Sequence, residues 1–156
     1  MKMIKKLRLL FCFVSIFTAM QGTAQTQPEA YRLYDSKGKV ITYDQLVKEI
    51  TKVDVVFVGE IHNCVITHWL EQKLLNSLYK IHRKELKMGM EMFESDNQLI
   101  LDEYLHGQIT GDRFEEEVRL WPNYSTDYAA LISYAREHHI PVVATNIPRR
   151  YATAVK

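Results

Sequence analysis

An α/β fold built on a mostly parallel sheet is what this sequence predicts. Three observations carry the prediction: the uninterrupted apolar run VDVVFVG at 53–59, two further apolar runs, LKMGMEMF at 86–93 and IPVVATNIP at 140–148, and helical spacing of the apolar residues between them. A β-branched run without polar alternation marks a strand covered on both faces. Strands that alternate with helices imply right-handed crossovers and hence parallel neighbours.

The elements follow in order. MKMIKKLRLL gives a basic start, LLFCFVSIFTAM a short apolar core, and Gly22-Thr23-Ala24 small residues at a cleavage site. Residues 1–24 are therefore expected to be a secretory signal peptide, which places the mature chain in the periplasm or cell envelope. YRLYDSKGKVITYDQLVKEI, residues 31–50, reads as strand, turn, strand and short helix, with Ser36-Lys37-Gly38 at the turn and Thr42 with Gln45 as a capping box. From Val65 to His82, apolar residues at 66, 69, 70, 74, 75, 78 and 81 keep helical spacing. Polar-rich helices are expected from Asp96 to Leu105 and from Gly111 to Val118, long enough together for a small subdomain or lid. YAALISYAREHH predicts a further helix, and RRYATAVK begins another without a cap. Three strands and an unfinished helix make an incomplete sheet, so residues 25–156 are expected to be one domain truncated at its C-terminus.

Composition excludes some classes. The whole chain carries 20 basic and 19 acidic residues. Removing the leader takes four basic and no acidic residues, leaving 16 against 19, a net charge of −3. No basic run survives outside the leader, which speaks against a nucleic-acid surface. Of the two cysteines, Cys12 lies in the leader after the bulky Phe11, an unsuitable lipoprotein processing site, and Cys64 is left as a lone thiol.

The chemistry gathers where the strands end. Open parallel sheets form their sites beyond the carboxyl ends of the strands. There the first run delivers Glu60 and His62, the second Glu91, and the third Asn146 followed by Arg149 and Arg150. Glu91 is read as a carboxylate buried in an apolar strand, which needs pairing or a metal to be tolerated. His68, six residues after His62, faces either the strand ends or solvent. His82, His106, His138 and His139 fall at helix ends and are read as structural, and Trp121 as a packing anchor.

VVFVGEIHN, THWLEQKLL, GMEMFESDNQLILDEYL and YAALISYAREHHIPVVATNIPRRYATAV resemble, in this order, the ChaN-like family of haem-binding uptake proteins. That family is related to the Tiki and erythromycin-esterase-like superfamily, which shares the G-x-x-H signature seen here as Gly59-Glu60-Ile61-His62. The resemblance spans about Tyr31 to Lys156. It implies an α/β core with a smaller helical part, surface export, haem held between two subunits through a tyrosine ligand, and an outer-membrane haem receptor as partner. Glu60, His62, His68, Glu91, Phe93, Gln98, Asn146 and Arg149 coincide with its pattern, and Glu60, His62, His68, Glu91, Asn146 and Arg149 are the implied cofactor-binding residues. Tyr104, Tyr128 and Tyr151 are candidates for the iron ligand. Two departures stand out. The family's Asp-Asn-Pro after the first histidine is Asn63-Cys64-Val65 here, and no lipid-attachment cysteine adjoins the cleavage region.

Three functions compete at this point. The first is an exported haem-binding protein of haem and iron uptake, in which haem iron takes a tyrosinate. The second is a metal-dependent hydrolase in which Glu60, His62 and Glu91, with or without His68, hold a water-activating divalent ion. The third is a binding module whose strand-end residues form only a structural network.

Overall fold

The computed structural model describes residues 29–155, so the expected leader lies outside the described residues. Residues 29–32, in which Arg32 pairs with Glu29, stand apart from the unit that begins at Leu33, described below.

A hairpin comes first. Strands β1 (Leu33–Tyr34) and β2 (Val40–Ile41) pair antiparallel, and Gly38 takes the positive φ of 77° that the turn requires. Helix α1 (Tyr43–Ile50) starts at the expected capping box: the Gln45 amide donates to the Thr42 hydroxyl oxygen, and the Gln45 side chain accepts from the Thr42 backbone. Helix α2 (Val65–His82) covers the span its spacing predicts.

Strand β3 (Met88–Glu94) and strand β4 (Val142–Asn146) then pair in parallel, Met88 beside Val142 and Glu94 beside Asn146, with an irregularity between Met90 and Glu94. Between them run α3 (Gln98–Leu105), α4 (Gly111–Glu117), a π-helical turn (Tyr124–Tyr128) and α5 (Ala129–His138). A 3₁₀ segment, Arg149–Val155, follows β4. The observed class is thus α/β, a short parallel sheet with helices against it.

The core lies between the sheet and these helices. Met90, Met92 and Phe93 of β3 and Val142 and Ala144 of β4 are buried against Leu101, Phe114, Tyr128 and Ile132. Tyr104 stacks on Phe114 with ring centroids 4.5 Å apart, so α3 and α4 pack into the core and are no loose lid. Gln98 ties α3 to the sheet. Its amide donates to the Val142 carbonyl while its carbonyl accepts from the Ala144 N–H, the pairing a neighbouring strand residue would make.

Three expectations are corrected here. VDVVFVG is extended but joins no ladder among the described residues, and Phe57 is 94% exposed. Its composition suits a strand, yet a strand exists only where a partner pairs its backbone. Among the described residues the parallel sheet accordingly has two strands and not three, and one covered face. Its other face carries Gly89, Glu91, Val143 and Thr145, all exposed. Glu91 is therefore not a buried carboxylate. In β3 the period of two sends Met90 and Met92 inward and Glu91 outward.

Candidate functional site

The extended segment is pinned where it ends. Tyr128, fully buried at the end of the π turn, donates its hydroxyl to Glu60 Oε1 at 2.5 Å. His62 Nδ1–H donates to the same oxygen at 2.9 Å. The His62 carbonyl accepts twice, from His68 Nε2–H at 2.9 Å and from Asn123 Nδ2 at 3.1 Å. Trp121 meets the His62 ring edge-on, 4.9 Å between centroids, so it anchors the site's rim as well as packing.

Helix α2 supplies the floor. Cys64 caps it without a side-chain bond, and one turn later His68 points back into the fold, only 7% exposed. Glu71 stands three residues on, on the same helix face. His68 Nδ1 lies 3.4 Å from Glu71 Oε2, and His68 Nε2 lies 3.6 Å from Asp127 Oδ2 and 3.9 Å from Glu60 Oε1. Asp127 reaches this position because the π turn places it beside Tyr128, and Asn123 holds it at 2.8 Å. π turns recur at functional sites because they aim side chains that a regular helix would send elsewhere.

The electrostatics follow from this crowding. Burial pushes the Glu71 carboxyl up to about 7, and the nearby Glu60 charge adds to the effect. Burial acts on Glu60 too, but hydrogen bonds from Tyr128 and His62 outweigh it and hold that carboxyl below its usual range. Burial alone would lower His68. Its bond to the His62 carbonyl and the Glu60 and Asp127 charges prevail, so the imidazole is raised. The Tyr128 hydroxyl is pushed well up by burial and by its bond to Glu60.

A second polar cluster closes the carboxyl end of the sheet. Glu94 accepts from the Arg119 guanidinium at 2.9 Å and from the Arg149 backbone N–H at 2.8 Å, while Asp96 pairs with Arg119 and Arg150. Glu94 and Asp96 are both lowered, chiefly by bonds to Arg119 and Arg150 respectively.

The residues singled out in the sequence thus divide. Glu60, His62 and His68 meet in the first cluster. Arg149 belongs to the second, and Asn146 ends β4 opposite Glu94 beside it. Glu91 takes part in neither cluster among the described residues. His106 and His138 bond carbonyls of their own helix ends, at Asp102 and Tyr134. Sequence reading missed Glu71, Asn123, Asp127 and Tyr128 as members of one site. The i, i+3 spacing of His68 and Glu71 was a usable signal; nothing in the local sequence announces the π turn.

The bond between Tyr128 and Glu60 is a test of this arrangement. Tyr128→Phe is expected to destabilise the fold by about 1.5–3 kcal/mol, the range for a bond to a charged group. It should also raise the Glu60 pKa, since a donor to the ionised form is lost. Urea denaturation and NMR titration of the Glu60 carboxyl check both, and an unchanged Glu60 titration would remove Tyr128 from the site.

The haem-binding uptake family ChaN of the Tiki superfamily matches residues 46–156, a span that contains both clusters. No relative among curated proteins matches the chain. The solved structure of ChaN of Campylobacter jejuni, described for its cofacial haem binding, is similar with a TM-score of 0.67 at 20% identity. The alignment covers 80% of this chain and 51% of that one, so the chain spans about half the length of that protein. The likeness supports the α/β fold, and the family match over most of the sequence settles the kinship: the chain belongs to the ChaN family of haem-binding uptake proteins in the Tiki superfamily.

Proposed function

We propose that this protein is an exported haem-binding component of haem and iron uptake, acting in the periplasm or cell envelope once residues 1–24 are removed. The observation that carries the reading is the family match over residues 46–156. In this reading the full-length protein holds haem between two copies and exchanges it with an outer-membrane haem receptor.

Among the three candidate tyrosines, Tyr151 suits the iron best. A tyrosinate ligand must lose its proton and reach the iron. Tyr128 is fully buried and already donates to Glu60, which favours the phenol. Tyr104 is sandwiched between Phe114 and the Arg136 guanidinium, 4.5 Å from its ring centroid. Tyr151 is 52% exposed, so its hydroxyl is open to an approaching haem, and the Arg150 guanidinium lies 4.7 Å from its ring centroid. Glu60, His62, Asn146 and Arg149 then serve as polar surroundings of the haem, the imidazole and guanidinium suiting its propionates.

Hemin titration of the purified chain tests this. The expected result is a shifted Soret band with saturable stoichiometry, lost in Tyr151→Phe and kept in Tyr128→Phe. No spectral change with hemin would overturn the haem reading itself. A shift that survives Tyr151→Phe would overturn only the ligand assignment.

A further inference from the structure

Of Glu60, His68 and Glu71, the haem reading above uses only Glu60, as a polar neighbour, and leaves the grouping of the three unexplained. Each offers one ligand-type atom, and these atoms lie within 4.8 Å of one another. Two ligands bound about 2.1 Å from a common ion can be no more than about 4.2 Å apart. A closure of about half an ångström therefore brings all three to one ion. His68 is 7% exposed, and the side chains of Glu60 and Glu71 are 12% exposed, so the atoms are shielded from bulk water.

The histidine is already oriented. Its Nε2 lies 2.9 Å from the His62 carbonyl, so that nitrogen carries the hydrogen and donates it. The neutral ring then has its lone pair at Nδ1, which faces Glu71. Metal-ligating histidines are held in this way, with the other N–H on a backbone carbonyl or carboxylate. Glu60 is fixed likewise, by the Tyr128 hydroxyl and the His62 ring, both on Oε1.

Charge gives a separate reason. Three carboxylates, Glu60, Glu71 and Asp127, surround the single imidazole of His68. Among the described residues their ion-pair partners are His62 and His68 alone, and no lysine or arginine enters the group. Buried negative charge in excess of its partners calls for a cation.

We propose that Glu60, His68 and Glu71 form a binding site for a first-row divalent metal ion, distinct from any haem iron. One imidazole nitrogen with two carboxylate oxygens suits Zn²⁺, Mn²⁺ or Fe²⁺ better than Ca²⁺, which takes oxygen ligands throughout. A metal ion competes with protons for imidazole and carboxylate ligands, so binding weakens as pH falls. The site shares only Glu60 with the haem reading, and its assay contains no hemin, so the two fail separately.

The experiment titrates the full chain, stripped with EDTA, with Co²⁺, following visible absorption and calorimetry. One equivalent is expected to bind with proton release. Glu71→Gln should weaken binding by at least roughly tenfold and His68→Ala by roughly a hundredfold, while Glu116→Gln on the surface of α4 leaves it unchanged. Absence of Co²⁺ uptake, or uptake that Glu71→Gln and His68→Ala leave unaltered, overturns the site. If His68→Ala does not fold, the near-isosteric Glu71→Gln decides alone.

Discussion

Phe93→Ala is expected to destabilise the protein by about 3–5 kcal/mol, the largest effect of any single truncation considered for this fold. Phe93 is fully buried at the end of β3, with ring centroids 6.1 Å from Phe114 of α4 and 6.2 Å from Tyr124 of the π turn. It is the point where sheet, α4 and π turn meet. Removing the ring forfeits its transfer free energy and leaves a void that three elements cannot all collapse into. Because the π turn also carries Asp127 and Tyr128, the loss should reach the Glu60 cluster as well. Urea denaturation measures the first effect, and Leu99→Ala, whose side chain is 70% exposed on α3, is the matched control with a change within about 0.5 kcal/mol. Equal destabilisation of the two variants would mean that Phe93 does not join these elements.

What the sequence discloses about this fold divides by the range of the interactions involved. The capping box at Thr42 and Gln45, helix α2 and strand β4 were legible because propensity, caps and periodicity act over a few residues. The VDVVFVG run misled for the converse reason. A β-branched run states a preference for extended backbone, while pairing depends on a neighbour that local sequence does not name. Glu91 misled through its setting. Read as part of a continuous apolar run it is buried; read with a period of two, Met90 and Met92 take one face and Glu91 the other. At the site, the G-x-x-H segment announced Glu60 and His62, and helical spacing brought in His68. Asp127 and Tyr128 lie 67 and 68 positions from Glu60 in the sequence, and only the π turn brings them to it.

The same cluster sets a pH dependence that one substitution should abolish. In the metal-free protein the Glu71 carboxyl titrates at about 7, raised from 4.5 by burial and then by the Glu60 charge. Below 4.5 folded and unfolded chains both hold this proton, and Glu71 makes no difference to stability. Between 4.5 and 7 the unfolded chain releases it while the folded chain keeps it, so stability falls as pH rises. Above 7 the penalty is complete, about 3 kcal/mol at most for a shift of this size. His68 acts in the same sense: its raised folded pKa contributes stability at low pH that is lost as pH rises through that value. Glu60 acts oppositely, since its lowered pKa contributes stability that is lost as pH falls. Asp127 faces the group as a further carboxylate 3.6 Å from His68, and the Tyr128 hydroxyl remains protonated throughout this range. Glu71→Gln keeps a donor for His68 Nδ1 and removes the titrating charge. With EDTA present, the variant should therefore exceed the parent protein by about 1–3 kcal/mol near pH 8 and by less than about 1 kcal/mol near pH 5. With saturating Co²⁺ the order near pH 8 should reverse, because an ion bound only to the folded parent stabilises it by mass action while the variant binds poorly. Urea denaturation at the two pH values, with EDTA and with Co²⁺, measures all four quantities. A Glu71→Gln variant no more stable than its parent near pH 8 in EDTA would mean that Glu71 is ionised there without penalty, and the crowding of carboxylates around His68 would lose its energetic consequence.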